Sequence, residues 1–458
     1  MRVGLVTLGC DKNSVDTEYL AALLEDAGHE LSLDPEPDAT GALDAVVITT
    51  CGFIADAKRQ SVQAVVDWAE RKREAGSPKR LLVAGCLAQR YADDLLKEIP
   101  EIDGIVGVGQ FREIARMVGA DEDAPRKDVH EVPSVAIYPF LRRKHLGGAP
   151  HAFLKISDGC NHACTFCSIP LMKGKLRSVD RDTLLREAEQ LIAQGVREIN
   201  LIAQDLTAYG RDTGDKALRL PALLRDLDAI DGDFWIRCLY CYPGGVTDEF
   251  LETLRDCPKI VPYLDMPLQH LDPTMLRLMK RPYRAVNTFE LVGRLRDAVP
   301  GIALRTTMIV GFPGETARAH DRMLEGLGEL AFNWVGVFAY SREEDTPAAT
   351  MPHQTRDATR ARRKEAVLEL QAQITAMYNR DRVRGRARVL VERFDPERGQ
   401  WIGRTAGEAP EIDGCVYVHS PEPLRVGEFV EIEIVDADVF DVSGRVQASR
   451  HPERSEGR

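Results

Sequence analysis

Short apolar runs, each followed by a loop and an amphipathic segment, recur along most of this 458-residue chain. Four of them come before residue 120, at Val3–Leu8, Ala45–Thr50, Leu81–Ala84 and Ile105–Val108. The repetition predicts a doubly wound α/β domain with a parallel sheet over residues 1–120. The carboxyl ends of parallel strands share one edge of a sheet, so the residues that follow these strands are expected to meet there.

Six more runs of the same kind lie between residues 151 and 376, at Phe153–Ser157, Ile199–Ala203, Trp235–Tyr240, Tyr263–Met266, Leu304–Val310 and Trp334–Ala339. A complete barrel of this type has eight strands, so six units predict a partial (β/α)6 barrel. Residues 121–150 contain several prolines, acidic residues and the basic run Arg142–Lys144, and are interpreted as a linker.

The chain ends in a different pattern. A helical stretch, Ala358–Tyr378, is followed by short β runs at Arg388–Phe394, Gln400–Arg404, Val416–His419 and Phe429–Val435. Glycine and proline separate these runs, which predicts a small β-barrel of the oligonucleotide-binding type over residues 379–446. The polar residues 447–458 are expected to be disordered.

Composition narrows the class of protein. With 44% hydrophobic and 29% charged residues the chain resembles an ordinary soluble protein, and its net charge of −12 disfavours a general affinity for nucleic acid. No apolar run is long enough to cross a membrane, and the first strand is too short for a signal peptide, so we expect a cytoplasmic protein without a membrane partner. Ten cysteines in that compartment indicate metal binding or catalysis rather than disulfides.

Three cysteines with the spacing Cys-x3-Cys-x2-Cys follow the first strand of the predicted barrel: Cys160, Cys164 and Cys167. Three thiolates hold three irons of a 4Fe-4S cluster and leave the fourth open to another ligand, which indicates a catalytic cluster. Structural zinc is the main alternative, but it takes four closed ligands, and His162 is poorly spaced to be the fourth.

A second set of cysteines is spread along the first domain. Cys10, Cys51 and Cys86 each follow a predicted strand and each has a glycine neighbour. Because these strand ends lie on one sheet edge, the three thiols are expected to converge and to hold a second cluster with an open iron. Three buried structural cysteines are the alternative.

The four remaining cysteines are interpreted as packing residues. Cys238 and Cys241 form a Cys-x2-Cys, but alternation along a strand directs their side chains to opposite faces, so metal binding is not expected there. Cys257 and Cys415 stand alone in the sequence.

The Cys160–Cys167 spacing, with an aromatic residue just before the third cysteine and a barrel following, resembles the radical S-adenosylmethionine superfamily. The resemblance implies that the open iron binds S-adenosylmethionine, which is cleaved to methionine and a 5′-deoxyadenosyl radical. It makes Phe166, Gln204 and Gly311, the last within Thr306–Glu315, candidates for the cofactor pocket. Ordinary strand-end turns remain the alternative for Gln204 and for the Thr306–Glu315 run.

From about residue 1 to 446 the chain resembles the methylthiotransferase family, which has the same modules in this order and ends in a TRAM domain. Five strings resemble the branch that modifies an aspartate of small-subunit ribosomal protein twelve: Leu8–Asp16, Thr50–Ile54, Ser157–Cys160, Tyr263–His270 and Ser341–Glu344. The transfer-RNA branch usually differs around the first two cysteines. Two residues depart from the usual family pattern, Thr49 where asparagine is common and Leu206 in a run that is usually polar.

The family resemblance implies two roles for S-adenosylmethionine. The cluster on Cys160, Cys164 and Cys167 would generate the radical, and the cluster on Cys10, Cys51 and Cys86 would hold a sulfur species methylated by a second cofactor molecule. The target would be an aspartate β-carbon, and the electron donor a protein such as flavodoxin or ferredoxin. Two other functions stay open: a transfer-RNA adenosine methylthiotransferase, and a non-catalytic iron-sulfur carrier or RNA-binding module.

Charge in the last domain bears on the substrate. From Val389 to Val446 there are 5 arginines and no lysines against 13 acidic residues, a net charge of −8. Such a domain repels phosphate, which predicts docking of a basic ribosomal protein and makes transfer RNA an unlikely substrate. A solvated acidic face without a partner is the alternative. Five alternating arginines just upstream still provide a possible RNA contact: Arg380, Arg382, Arg384, Arg386 and Arg388.

Overall fold

The computed structural model describes residues 1–38, 41–119, 127–129, 142–282 and 286–447. Its first domain is a six-stranded sheet in the order β2-β1-β3-β4-β5-β6, and each pair of neighbours is parallel. The elements are β1 (Arg2–Thr7), α1 (Asp11–Asp26), β2 (Glu30–Leu33), β3 (Ala45–Thr50), α2 (Ala55–Ala75), β4 (Arg80–Gly85), α3 (Cys86–Glu98), β5 (Gly104–Val106), α4 (Phe111–Gly119) and β6 (Lys127–Asp128).

Both faces of this sheet are covered, as predicted for a doubly wound domain. Along the fully buried strand β3, Val46 and Ile48 pack in one apolar cluster with Trp68 of α2, whereas Ala45 and Val47 pack in another with Leu20 of α1. This division follows from the alternation of side chains along a strand. The strand order reverses between β1 and β3, the place where doubly wound sheets commonly bind ligands.

The second domain is an open sheet of six parallel strands in the order β14-β13-β12-β11-β10-β7, which confirms the predicted partial barrel. Its strands are β7 (His151–Lys155), β10 (Glu198–Ile202), β11 (Trp235–Cys238), β12 (Ile260–Asp265), β13 (Ala303–Val310) and β14 (Trp334–Ala339), with a small ribbon of β8 (Ser157–Asp158) and β9 (Arg177–Ser178). Most bounds differ from the predicted ones by one to three residues.

The barrel helices surround this sheet, and five of them begin at capping side chains. Asp180, Thr247, Asp272, Asn287 and Thr316 each accept a hydrogen bond from a backbone N–H of the first turn. The helices are α5 (Ile169–Lys173), α6 (Arg181–Ala193), α7 (Leu220–Asp228), α8 (Asp248–Asp256), α9 (Pro273–Leu278), α10 (Thr288–Ala298), α11 (Ala317–Leu330) and α12 (Asp357–Asp381). No helix in the described ranges has the length and apolar character needed to cross a membrane.

The carboxyl-terminal domain is a closed five-stranded barrel in the order β15-β16-β17-β19-β18. Its strands are β15 (Arg386–Asp395), β16 (Gln400–Thr405), β17 (Val416–His419), β18 (Phe429–Ala437) and β19 (Val442–Val446). The small barrel was predicted, but its last strand was not, because Val442–Val446 carries glycine and arginine and shows little apolar alternation. The predicted disordered tail lies outside the described residues from 448 onward.

A buried charge network joins the small barrel to the end of the large barrel where the strands begin. Glu198, at the start of β10, accepts hydrogen bonds from Arg237 Nε at 2.6 Å and from Arg404 Nη2 at 2.5 Å. Arg404 of β16 also donates to Glu392 at 2.7 Å, and Trp334 Nε1 donates to the Gly407 carbonyl at 2.8 Å. The small barrel therefore covers the end where the strands begin, and the carboxyl ends of the strands lie towards the first domain.

The first domain contacts the regions beside both edge strands of the open barrel. Near β7, Asp16 of α1 pairs with Lys155, and beyond β14, Lys58 of α2 donates to Glu343 at 2.7 Å. Arg143 also connects the two domains, because it is buried and pairs with Glu18 of α1 at 2.5 Å and with Glu187 of α6 at 2.7 Å. The described end of the predicted linker is thus anchored by an ion-pair network.

Acid should weaken the contact between the two barrels through Glu198. Burial alone would raise the pKa of this carboxyl, but the charges of Arg404 and Arg237 outweigh it and lower the pKa from 4.5 to about 2. A lowered folded-state pKa means that the stabilisation is present above about pH 4.5 and is lost as the pH falls towards 2. We expect Glu198→Gln to lower the free energy of unfolding at pH 7 by roughly 3 kcal/mol.

The measurement is urea unfolding of wild type and variant from pH 7 to pH 3. The difference between them should shrink below about pH 4.5, because the wild-type carboxylate is progressively protonated. Glu329→Gln, at an exposed position of α11, is the matched control and should be neutral throughout. A difference that is the same at every pH would contradict the assignment of this charge.

Candidate active site

The loop that carries Cys160, Cys164 and Cys167 follows β8 at the carboxyl end of the large barrel. Gly159 begins it with a φ of +76°, and a Cβ at that position would lie 2.0 Å from the Lys175 carbonyl oxygen, so the turn requires glycine. Cys160 N–H donates to the Gly174 carbonyl at 3.1 Å, and Thr165 N–H donates to the Met279 carbonyl at 3.2 Å. These bonds fix the start and the middle of the three-cysteine segment.

The thiols of this loop are poorly solvated. Burial raises the pKa of Cys160 to about 11 and that of Cys167 to about 12. Arg281 Nη1 lies 3.8 Å from Cys164 Sγ and supplies one positive charge beside the group. Partly buried thiols become stable thiolates only with strong cationic compensation, which iron provides.

His162 is engaged elsewhere and does not join the three thiols. Its Nε2 lies 2.6 Å from Asp205 Oδ2, and its ring stacks on Tyr242 with centroids 3.7 Å apart. These contacts occupy the imidazole, and its exclusion as a fourth ligand stays a prediction. The three thiols remain as the soft donors of the loop, the donor set of a cluster with one open iron.

Cys10, Cys51 and Cys86 lie together at the strand ends around the reversal of the first sheet. Cys10 caps α1, Cys51 follows β3, and Cys86 is the first residue of α3. A Cβ on Gly9 would lie 2.7 Å from Cys51 Cβ, and one on Gly52 would lie 3.1 Å from the Cys86 carbonyl. The neighbouring glycines therefore allow these backbones to approach closely.

The environment of this second set of thiols also fits an anionic metal cluster. Burial raises the pKa of Cys51, and it raises that of Cys86 to about 12, while the positive charge of Lys173 acts in the opposite direction at both thiols. The amino termini of α1 and α3 meet here, and their partial positive charges favour thiolates. Within the described residues no three His, Cys, Asp or Glu side chains form a site for a single metal ion. A cubane binds each thiolate through a different iron, so its three thiols stand further apart than the ligands of a single metal ion.

Helix α5 links the two cysteine sets. It begins two residues after Cys167, and its Ile169 and Met172 pack with Cys86 in one buried cluster. At its end Lys173 is fully buried, with Nζ 3.3 Å from Asp158 Oδ2 and 3.6 Å from Asp16 Oδ2. The segment after the third barrel cysteine is thus part of the wall around the first-domain cysteines.

The three residues predicted for the cofactor pocket have different surroundings. Gln204 donates to Asp158 Oδ1 at 2.9 Å, while its Oε1 is buried without a hydrogen-bond partner among the described residues, as expected where a ligand donor is missing. Phe166 packs against the Met275 and Phe312 cluster. Gly311 has a φ of +72°, and a Cβ there would lie 2.3 Å from Arg360 Cγ, so its glycine is explained by the turn alone.

The four other cysteines lie apart from both sets. Cys238, Cys241 and Cys257 are buried in the core of the large barrel, and Cys415 is half-buried in the small one. Burial raises the pKa of Cys238 to about 12. These surroundings agree with the predicted packing role.

The two residues that depart from the family pattern are accommodated by ordinary contacts. Thr49 Oγ1 donates to the Val6 carbonyl at 3.1 Å and lies 3.1 Å from Thr17 Oγ1. Leu206 is fully buried in the barrel core. Neither contact disturbs the cysteines.

Sequence reasoning missed several side chains that surround the cysteines, namely Lys12, Asp158, Lys173, Asp205, Tyr240, Tyr242 and Arg281. The available signal was their position, since Lys12 and Asp158 each lie two residues from a predicted cysteine ligand and both tyrosines follow β11. Position alone does not reveal which of these side chains meet across the domain junction.

Comparison with known proteins defines the class. The model of the Radical SAM superfamily matches residues 154–327, that of uncharacterized protein family UPF0004 matches 2–107, and that of the TRAM domain matches 385–446. The fold is similar to the radical S-adenosylmethionine methyltransferase TsrM from Kitasatospora setae, with a TM-score of 0.55, 16% identity and 76% of each chain covered. It is also similar to the cobalamin-dependent radical enzyme OxsB, with a TM-score of 0.50, 14% identity and coverage of 81% of this chain and 56% of that chain. The chain is a radical S-adenosylmethionine enzyme, a class that uses 4Fe-4S clusters and S-adenosylmethionine.

Close relatives identify the family. The chain is 40% identical over 446 residues to the ribosomal protein uS12 methylthiotransferase RimO of Desulfitobacterium hafniense (strain Y51), covering 97% of this chain and 98% of that protein. It is 43% identical over 455 residues to the RimO protein of Anaeromyxobacter sp. (strain K), covering 99% and 95%. The chain belongs to the RimO family of methylthiotransferases.

Replacing Gly159 by alanine should damage the loop of Cys160 selectively. The variant needs a left-handed backbone at alanine and a clash with the Lys175 carbonyl, so the loop must move. We expect anaerobic reconstitution to recover about half of the wild-type iron, because only one of two clusters would be affected.

The matched control is Gly328→Ala within α11, where an added Cβ meets no atom within 4 Å. Alanine favours a helix over glycine by about 1 kcal/mol, so this control should retain all its iron and be slightly more stable. Full iron in Gly159→Ala would show that the loop tolerates the change.

Proposed function

We propose that this enzyme attaches a methylthio group to the β-carbon of an aspartate in ribosomal protein uS12. The relatives that match almost the whole chain carry the name of that activity. The observation that carries the proposal is the pairing of two three-cysteine sets at one domain junction, joined by α5. A radical enzyme that only cleaves its cofactor needs one such set, whereas sulfur insertion needs a second metal centre beside the first.

We assign the two sets different roles. Cys160, Cys164 and Cys167 hold the cluster that binds S-adenosylmethionine, and Cys10, Cys51 and Cys86 hold an auxiliary cluster. When bound, these groups supply hydrogen abstraction by a 5′-deoxyadenosyl radical and a methylated sulfur for transfer, with S-adenosylmethionine serving as both radical source and methyl donor. The protein itself supplies binding, orientation and exclusion of water.

Specific side chains perform those tasks. Gln204 directs a free Oε1 into the buried region beside Asp158 and is suited to a donor group of the cofactor, with Phe166 and the Gly311 turn as further walls. Asp158 in turn accepts from Gly159 N–H at 3.2 Å and ties this wall to the cysteine loop. Lys173 offsets the negative charge that accumulates at the first-domain cysteines.

The reaction is placed in the cytoplasm, where ribosomal proteins are found, with a low-potential electron donor such as flavodoxin or ferredoxin. No membrane takes part in the proposal. Transfer-RNA adenosine modification is the competing function, and the same experiment tests both.

Removing the auxiliary set should separate the two chemical steps. In the triple variant Cys10→Ala, Cys51→Ala and Cys86→Ala, the Cys160 loop remains intact, so reduced enzyme should still form 5′-deoxyadenosine but should not methylthiolate uS12. Reconstituted iron should fall from about eight to about four per chain. Cys257→Ala, a cysteine outside both sets, is the control.

The same variants test the substrate in cells. A strain lacking the gene should produce uS12 without the methylthio mass, wild-type protein should restore it, and the triple variant should not. Mass spectrometry of transfer RNA from these strains should show no difference. If the deletion strain instead lost a methylthioadenosine from its transfer RNA while the mass of uS12 stayed the same as in wild type, the competing function would replace the proposed one.

The acidic face of the small barrel is a further part of the proposal. Glu431, Glu433 and Asp436 of β18 are exposed, as is Asp438 after it. Arginines of the neighbouring strand reduce the acidic charge of this face, because Arg388 lies opposite Glu431 and Arg386 opposite Glu433 in the β15–β18 ladder. Including residues 380–388, with five arginines and Asp381, changes the net charge from −8 to −4. The face is acidic but alternates with arginine, which favours a basic protein with some acidic groups over bare phosphate.

Charge reversal tests this surface in the intact enzyme. Glu431→Lys, Glu433→Lys and Asp436→Lys together should raise the KM for uS12 several-fold at low salt. They should leave 5′-deoxyadenosine formation unchanged, because this surface and the cysteine sets lie at opposite ends of the large barrel. A control with the same change in net charge carries Glu252→Lys, Asp297→Lys and Glu329→Lys on exposed barrel helices. Equal effects of both triples would indicate general electrostatics instead of a docking surface.

A further inference from the structure

Lys12 is a nearly buried cation with little compensation. Its side chain is 9% exposed, and its Nζ lies 3.0 Å from the ring centroid of Tyr240. Its hydrogen-bond contact is with the adjacent Asp11 at a long 3.5 Å, and the same Oδ1 accepts a hydrogen bond from the Tyr240 hydroxyl at 3.1 Å. An ammonium group has three donors, so with Asp11 and the ring of Tyr240 as its contacts among the described residues at least one donor is available.

Lys12 lies where the first domain meets the carboxyl end of the large barrel. It is two residues from Cys10, and Tyr240 lies just past β11 at the carboxyl end of the large barrel. Two residues further, Tyr242 stacks on His162 of the Cys160 loop. The short segment Tyr240–Tyr242 therefore connects Lys12 to the radical-forming loop.

The backbone of Tyr240 is held in an unusual conformation. Its φ is +60°, a left-handed value that is uncommon for a tyrosine, and its N–H donates to Asp265 Oδ2 at 3.1 Å. Strain of this kind persists where the surroundings impose it, often at ligand sites. Here it places the aromatic face beneath the Lys12 ammonium.

We propose that Lys12 binds the side-chain carboxylate of the substrate aspartate and so selects aspartate over asparagine. The inference rests on the proposed function, because the β-carbon to be modified is bonded directly to that carboxylate. Thiolates on both sides would repel a carboxylate, and a poorly solvated ammonium with unused donors offsets that repulsion. Binding the carboxylate there holds the β-carbon between the two cysteine sets.

Neighbouring cations are less suited to this task. Lys173 contacts both Asp158 and Asp16. Arg281 donates to the Pro267 carbonyl, covers the face of Tyr242 and approaches Cys164. Within the described part of the chain Lys12 has a single weak carboxylate contact, and it is the cation nearest in sequence to the auxiliary cysteines, where the sulfur is expected.

The test is a cycle that combines an enzyme variant with a substrate variant. Fluorescently labelled peptides with the uS12 target sequence carry either the target aspartate or asparagine, and their affinities are measured by anisotropy with reconstituted enzyme. Wild type should bind the aspartate peptide at least about tenfold more tightly, roughly 1.4 kcal/mol. Lys12→Met should bring the ratio close to one by weakening the aspartate complex alone.

Controls separate this role from others. Lys97→Met removes a lysine that is 79% exposed on α3 and should keep the wild-type ratio. Iron content and 5′-deoxyadenosine formation without peptide report on the clusters and the cofactor. If Lys12→Met loses iron, Lys12→Arg and Lys12→Gln replace it, and only the arginine variant should retain the preference for aspartate.

Each outcome is decisive. An unchanged preference in the methionine or glutamine variant overturns the inference and leaves Lys12 as a packing residue against Tyr240. Weaker cofactor binding with an unchanged peptide ratio also overturns it, because Lys12 would then contact the cofactor. If wild-type enzyme modifies no uS12 in the strain experiment, the proposed function fails; if it does, but Lys12 variants keep the preference, only this inference fails.

Discussion

A buried ion network at the junction of the first two domains holds the two cysteine sets together. Asp16 of α1 pairs with Lys155 at the end of β7, and Lys173 of α5 lies between Asp16 and Asp158. Burial would raise the pKa of Asp158, but Lys173, Lys155 and Arg177 outweigh it and lower the pKa to about 2. Removing one partner from such a network typically costs about 3–5 kcal/mol of folding stability. The network therefore holds the two domains in one relative position.

The sequence was sufficient for the class of each domain, although the two edge strands of the first sheet, β2 and β6, were not predicted. Strands are short apolar runs, and β3, β14 and β17 have the predicted bounds. The position of Cys10, Cys51 and Cys86 after three strands was equally informative, since a parallel sheet brings such positions together without any knowledge of packing. Strand β19 was missed because its pairing with β17 and β18, rather than its own pattern, makes it a strand.

Contacts across domain junctions could not be predicted from one sequence. Nothing in Arg142–Lys144 indicates that Arg143 is buried between Glu18 and Glu187, because the two carboxylates are 169 positions apart and meet only in the folded chain. The contact of Lys12 with Tyr240 has the same origin. Local patterns determine which elements form, whereas these side chains depend on how the completed domains pack. The residues around the cysteines were therefore less predictable than the cysteines themselves.

The geometry separates the proposed docking surface from the two cysteine sets. The acidic strand β18 lies with the small barrel at the end where the large-barrel strands begin, whereas Lys12 and both cysteine sets lie where those strands end. Strand β13 has 8 residues, so at ~3.3 Å per residue these ends are roughly 25 Å apart. A small molecule cannot contact both. With β18 as the proposed docking surface, a ribosomal protein can contact both if an extended loop enters the cysteine junction while its basic body rests on the acidic face, so the proposal requires a substrate that is both long and basic.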